Sequence, residues 1–302
     1  ADGVIYVFYR KTRKNSIHSD DRPLRMIKST DNGLTWSKPV YAIDSEDKQQ
    51  DNLNEVYAGG LVREPAAVEH RERFLVAWTI AGGGDIHRHD RYHKDIYFAY
   101  FYPGSDTWEN VNGKKLGKTV KLADLEECLV FDSGPVDPDY AKATGYYPYY
   151  RYMSDATPVI AFTHYENRGN KKQNVKLAFR QQNSWQIITV YSGNNANIKD
   201  MEVLTNNTVR LYLGENKGVR IWLIKNRGRN IVKGELFSAP TPLDTVYTVN
   251  NYHPEIKLLG MENNWSERDF SGKYKVYAIG SLKRAGPTNL KPVAAWRKAA
   301  SE

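Results

Sequence analysis

A strand, a tight polar turn and a tryptophan recur along this chain, and that recurrence limits its fold more than any single motif does. The segment "IKSTDNGLTWSKPV" (27–40) runs from an apolar strand end through Asp31, Asn32 and Gly33 to Trp36 and a second strand. "AYFYPGSDTWENV" repeats the plan at Trp108, and "LAFRQQNSWQIITV" repeats it at Trp185. A weaker echo, "IWLIKNRGRNIVKGEL", keeps strand–turn–strand and loses the Trp. Self-similarity at long spacing marks a repeat architecture.

Between these hairpins lie β-rich or alternating runs: "GVIYVFYR" (3–10), "EPAAVEH" (64–70), "RFLVAWTI" (73–80), "TPVIAFTHY" (157–165), "NTVRLYLG" (207–214), "PEIKLLGM" (254–261) and "KYKVYAIG" (273–280). No stretch sustains a helical period. About four strands per unit, bounded by Gly, Asn and Asp turns, is the plan of a β-propeller blade. The units fall at about 3–43, 61–122, 146–191, 197–238 and 244–297, the first without an opening strand. The expectation is a single all-β domain over residues 1–302, a propeller of five to seven four-stranded antiparallel blades. A β-sandwich is the rival, but it does not predict one hairpin type returning at blade-like intervals.

Composition narrows the partners. With 43 Lys and Arg against 35 Asp and Glu, the formal charge of +8 suits an anionic partner. The 21 Tyr and 7 Trp favour strands and also suit stacking on sugar rings or bases. Cys128 is the only cysteine, which excludes an internal disulfide and a Cys-built zinc site. No run of about 18 apolar residues is present to span a membrane as a helix. Nucleic acid is not expected, because no recognition helix or RNA-binding motif appears. The chain begins at Ala1-Asp2, and Asn206 and Asn264 stand in glycan-acceptor triplets. Together these give an extracellular or cell-surface expectation.

The turn at Ser29-x-Asp31-x-Gly33-x-Thr35-Trp36 resembles the Asp box, or BNR repeat, of sialidase-type propellers. In such a turn the Asp carboxylate accepts backbone N–H bonds, the Gly takes a positive φ, and Trp36 is expected to pack back between the strands. The pattern is degenerate at Ser105-Asp106-Thr107-Trp108 and at Asn183-Ser184-Trp185. All of these residues are expected to be structural.

Ligands of a propeller usually meet the loops at the mouth of its channel. Four clusters qualify. "AGGGDIHRHDRYHKDIYFAYF" carries His87, His89 and His93 among Arg88 and Arg91, suited to proton transfer and charge neutralisation. The His-x-His spacing also suits a metal assisted by Asp90 or Asp95, although no metal or other cofactor is favoured; a solvated basic loop is the plainer alternative. "GYYPYYRYMSD" supplies Tyr147, Tyr149 and Arg151, and "FTHYENRGNKK" supplies His164 and Arg168. In "LVREPA" and "NNYHPEI", Arg63 and His253 each immediately precede a strand. The stretch "RKTRKNSIHSDDR" (10–22) reads as a solvated loop that adds positive potential.

The motifs "DIYFAYF…DTWENVNGKKLG" and "YYPYYRY…TPVIAFTHYENRGN" resemble the BNR-repeat family that includes ulvan-type polysaccharide lyases, over residues 63–215. The resemblance implies β-elimination on a uronate-containing polysaccharide, with a His and a Tyr as base and acid and an Arg on the carboxylate. Carried over by motif, the His is His87, His89 or His93 and the Tyr is Tyr147. The family's Arg falls near Thr163–Tyr165, where this chain has none, so Arg168 or Arg151 would substitute. "GVIYVFYRKTR…SDDRPLRMIKSTDNGLTWSKP" also resembles the first blade of a sialidase from its second strand onward. That implies hydrolysis through an Arg triad and a Tyr nucleophile activated by Glu. A glycan-binding or surface- or filament-associated propeller without catalysis is the third reading.

Overall fold

A computed structural model describes residues 3–14, 21–46, 54–64, 72–82, 92–134, 144–145, 147–165, 172–194, 197–215, 218–249, 256–262, 275–280 and 286–287. Among them the chain forms five sheets. The first pairs β1 (Ile5–Arg10), β2 (Leu24–Ser29) and β3 (Val40–Asp44) antiparallel. The second begins with β4 (Glu55–Ala58), β5 (Val62–Arg63), β6 (Phe74–Gly82), β7 (Tyr92–Tyr102), β8 (Thr107–Glu109) and β9 (Lys115–Gly117). Strand β10 (Val120–Lys121) then returns to lie parallel to β3. After a one-turn helix at Leu125–Cys128, β11 (Leu129–Phe131) pairs with β7.

Three four-stranded antiparallel sheets follow in sequence order. They are β12 (Tyr149–Tyr152), β13 (Pro158–His164), β14 (Lys172–Gln181) and β15 (Ser184–Asn194); β16 (Asn197–Val203), β17 (Val209–Glu215), β18 (Gly218–Lys225) and β19 (Asn230–Ser238); and β20 (Leu243–Thr248), β21 (Ile256–Glu262), β22 (Val276–Gly280) and β23 (Gly286–Pro287).

Each sheet shares a core with the next. Leu24, Met26 and Ile43 of the first pack on Val56, Val76 and Trp78 of the second. Leu75, Ile96 and Phe98 meet Tyr150, Ile160 and Phe162 of the third. Val159, Leu177 and Phe179 meet Ile198, Met201 and Leu211 of the fourth. Tyr212 and Val219 meet Leu243, Val246 and Tyr277 of the fifth. Full burial of each large side chain is worth about 1.5–3 kcal/mol. Sheets that bury both faces against successive neighbours form the face-to-face stack of a propeller. The opening strands form its inner ring: β12 touches β6 and β16, and β16 touches β20.

The second blade begins earlier than the residue 61 expected from sequence. Its opening strand is β4, in "NEVYA", only four residues long and too short to show an alternation. The run at 64–70 lies almost entirely outside the described residues.

The three Trp hairpins differ in turn length and in what they hold, with connections at 30–39, 103–106 and 182–183. In the first, Asp31 accepts from the Thr35 backbone N–H at 2.9 Å and from the Thr35 hydroxyl. Ser29 donates to Asp31 and accepts from the Gly33 N–H at 2.8 Å. Asn32 and Gly33 take positive φ, 59° and 90°. Trp36 does not wedge between the strands as expected. It lies against Gly33 and stays 43% exposed. Trp108 is buried against Phe8 and Phe101, and Trp185 packs edge-on to Phe98 of the preceding blade. Asp106 spends its carboxylate on Tyr6 and Lys28 of the first blade, stapling two blades together.

These bonds hold the Asp31 carboxyl at a pKa of about 2, below its ordinary 3.8, with the Thr35 hydroxyl the first cause and the Thr35 N–H the second. A depressed carboxyl stabilises the fold above its unfolded pKa and ceases to do so as pH falls through the folded value. Asp31→Ala is therefore expected to lower Tm at pH 7. The gap from the parent protein should narrow between about pH 4 and pH 2 in thermal melts; a gap independent of pH would refute the assignment.

Candidate active site at the hub mouth

Strand β4 sets the site. Val56 and Ala58 point into the core shared with the first blade, so Glu55 and Tyr57 point the other way. Glu55 is fully buried, a position a carboxylate holds only with partners. Arg10, at the end of β1, donates Nη1 to Glu55 Oε1 at 3.0 Å, and Arg22 donates Nη1 to the same oxygen at 2.9 Å. Arg10 also donates Nη2 to the Tyr147 hydroxyl at 3.3 Å and stacks 3.8 Å above the Tyr57 ring. The Tyr57 ring meets Tyr147 at 5.4 Å and His93 at 4.7 Å between centroids. Burial opposes the charge on Arg10, yet the hydrogen bond with Tyr57 and the field of Tyr147, Tyr57 and Glu55 hold its pKa above the ordinary value.

A second layer fixes the arginines. Asn54 donates to Asp21 at 2.6 Å and to Asp44 at 3.1 Å, and both aspartates accept from Arg13. Asp21 and Asn54 are buried and lie beside Arg22 and Glu55 in the chain. The Val56 N–H closes the arrangement on the Arg22 carbonyl at 3.2 Å.

His93 reaches this face through a bulge. Residues Trp78 and Tyr97 pair, as do Ile80 and Lys94, so two residues, Asp95 and Ile96, stand opposite the single Thr79. Asp95 takes φ 55° there. Its carboxylate accepts from the Ser133 N–H and hydroxyl, both at 2.9 Å, and from Tyr97 at 2.9 Å. The extra residue reverses the alternation of β7. His93 then shares a row with Ala81 and Glu55, on the Tyr57 face, and not on the face of Tyr97.

Of the residues singled out in sequence, His93 and Tyr147 come together here. Their exposures differ: Tyr147 is 47% exposed, whereas His93, behind Tyr57, is 1% exposed. His164 ends β13 against Phe131, joined to the His93 strand through Thr144, whose N–H donates to the His93 carbonyl. Tyr149 and Arg151 lie further along β12, where Arg151 donates to Asp200 at 3.1 Å. Arg63 stands apart on the surface, paired with Glu72 at 2.7 Å. His87, Arg88, His89, Arg91, Arg168 and His253 lie outside the described residues. No group of three His, Cys, Asp or Glu able to hold a metal occurs among the described residues.

The guanidinium beside Tyr147 is that of Arg10, and Arg22 shares its carboxylate Glu55; both come from a stretch read as solvated loop. The signal available was positional: Arg10 closes an alternating strand.

No known family's sequence pattern matches the chain, and no curated protein matches it by sequence. Solved structures do resemble it. One is an ulvan lyase of polysaccharide lyase family 25, bound to GlcA(1-4)Rha3S, at 17% identity and TM-score 0.70, covering 96% of this chain. Others are the Hadza microbial sialidase Hz136, at 14% identity, TM-score 0.53 and 93% of this chain, and the Trypanosoma rangeli sialidase, at 11%, 0.50 and 92%. The chain spans 64%, 54% and 45% of those three proteins' lengths. These likenesses place the chain in the sialidase-like propeller fold.

Glu55→Gln is expected to destabilise the protein by about 1–3 kcal/mol, because two half-buried guanidiniums lose their shared carboxylate. Denaturant titration at pH 7 measures this; an unchanged midpoint would show that Glu55 does not anchor the pair.

Proposed function

We propose that this propeller acts on an acidic, uronate-containing polysaccharide by β-elimination at the mouth of its hub. The observation that carries the proposal is the exposed Tyr147 phenol held by Arg10 over a buried Glu55. Glu55 fixes the guanidiniums of Arg10 and Arg22 before any ligand arrives. A uronate carboxylate docked on a guanidinium has its own charge offset, which makes the neighbouring C5 proton easier to remove. The proton leaves C5, the C4=C5 bond forms, the C4–O bond breaks with its electrons going to oxygen, and that oxygen takes up a proton.

Tyr147 is the group placed to exchange a proton with the sugar. His87 and His89, which precede the His93 strand in sequence, are the candidates for the second transfer. His93 is assigned a positioning part behind Tyr57. The solved ulvan lyase and sialidases support a carbohydrate ligand by fold, and the +8 charge suits an acidic one. An extracellular setting accords with such a polymer.

Incubation with uronate polysaccharides should raise the absorbance of an unsaturated uronate near 235 nm. Tyr147→Phe should lower kcat by about 100- to 10,000-fold, and Arg10→Ala should raise KM as well as lower kcat. His93→Gln should retain more activity than Tyr147→Phe. Release of sialic acid without unsaturated product would replace this reading with the hydrolytic one, and glycan binding without turnover would replace it with a lectin.

A further inference from the structure

Strand β14 begins opposite His164, at the end of the third blade that carries Tyr147. It runs from Asn174 to Arg180, six residues or about 20 Å away. Ala178 is buried against the second blade, so alternation sends Arg180 to the same face. Trp185 faces it across the β14–β15 hairpin, with its ring centroid 5.6 Å from the guanidinium carbon. From the second blade, Asn112 accepts from Arg180 Nη2. The buried Asn110 holds Asn112 in place by accepting the Asn112 and Lys114 N–H groups, both at 2.9 Å. The Arg180 carbonyl in turn accepts from Arg227 at 2.9 Å.

Arg180 is 7% exposed, the one arginine so covered among the described residues, and no described carboxylate pairs with it. The same seam shows the usual arrangement close by. Arg73, stacked 3.9 Å from the Tyr100 ring centroid, is met by both oxygens of Glu64, at 3.0 and 2.8 Å. Glu109 is occupied by the Tyr102 hydroxyl at 3.2 Å. Burial opposes the charge on both arginines. For Arg73 the bond from Glu64 more than restores it, and its pKa stands above the ordinary value. For Arg180 only the Tyr100 phenol works against burial, and its pKa stands below. A covered charge without a counter-charge is unfavourable. None of the Arg180 nitrogens is a buried atom without a partner, so the N–H groups not given to Asn112 open on the surface of the seam. They belong to the planar fork that suits an oxyanion, already oriented by the indole and the amide.

We infer that Arg180, oriented by Asn112 and Trp185, is an oxyanion-binding site for a carboxylate or sulfate group, at the opposite end of the third blade from Tyr147. The bound anion supplies the counter-charge that the described residues do not. This site binds without reaction and stands independently of the elimination chemistry.

The test titrates the full chain with sodium glucuronate and with sodium sulfate, each against sodium chloride at equal ionic strength, and follows tryptophan fluorescence. At least one of the two anions should change the fluorescence saturably, and Trp185→Phe should lose that change, which assigns the signal to this seam. Arg180→Met should weaken binding by about 10-fold or more. In chloride it should melt no lower than the parent, because it removes a charge that has no counter-charge. Arg180→Lys keeps the charge without the fork and should also bind more weakly than the parent. A long uronate oligosaccharide that binds more tightly than glucuronate assigns a polymer-borne anion, and equal affinity assigns a free one. No saturable change with either anion, or a change that survives Arg180→Met, would overturn the site. A large fall in Tm for both Arg180 variants in chloride would make the residue a structural brace and overturn it equally.

Discussion

Each interior sheet of this molecule has two apolar faces, and both are spent on neighbours. That constraint leaves no sheet face for polar chemistry. The polar groups that matter collect at the inner strands and their ends, where successive blades converge and the cores stop. Glu55, Asn54 and Asp200 are buried there, and each is bonded to residues of another strand. Burying such groups is unfavourable unless they are paired, so the pairing that satisfies them also fixes the spacing of the blades. The hub is therefore the seam between blades and, among the described residues, a hydrogen-bonded polar surface.

The hairpins were legible in the sequence because their turn chemistry is local. Asp31, Gly33 and Thr35 make their bonds within a few residues, and such bonds follow from residue type and spacing alone. Tyr147 and His93 were legible as candidates because both sit in unusual clusters of like residues. What the pattern missed depends on partners far away in the chain. Glu55 meets Arg10 across 45 residues and Arg22 across 33. Arg10 and Arg22 were written off with the basic stretch around them, since a guanidinium with a distant carboxylate reads like a solvated one. The four residues of β4 are too few to declare a strand on their own.

The β7 bulge hides a residue in another way. Strict alternation from Tyr97 puts His93 on the Tyr97 face, packed toward the first blade. One extra residue at Asp95 turns it to the opposite face, beside Tyr57. The positive φ of Asp95 is a conformation most side chains resist, and it is held by three bonds to its carboxylate, from Ser133 and Tyr97. A strained residue held this firmly beside a candidate site accords with the general placement of bulges near functional centres.

On the proposed reading, the arrangement of charge at the hub, and not the charge of the whole protein, decides how a polyanion is handled. The chain's +8 attracts at long range, but exposed charges are screened beyond about 8 Å at physiological ionic strength. Arg10 and Arg22 would repel each other if left alone, and they would have to be drawn together at the moment of binding. The buried Glu55 carboxylate removes that cost in advance, because it holds both guanidiniums in place. Behind them Arg13 is matched by Asp21 and Asp44, so the three arginines face three carboxylates and the cluster is organised less by surplus charge than by the fixed direction of its donors. Interactions fixed in this way cost no reorganisation when a ligand arrives. Glu55 therefore serves the site by fixing its geometry.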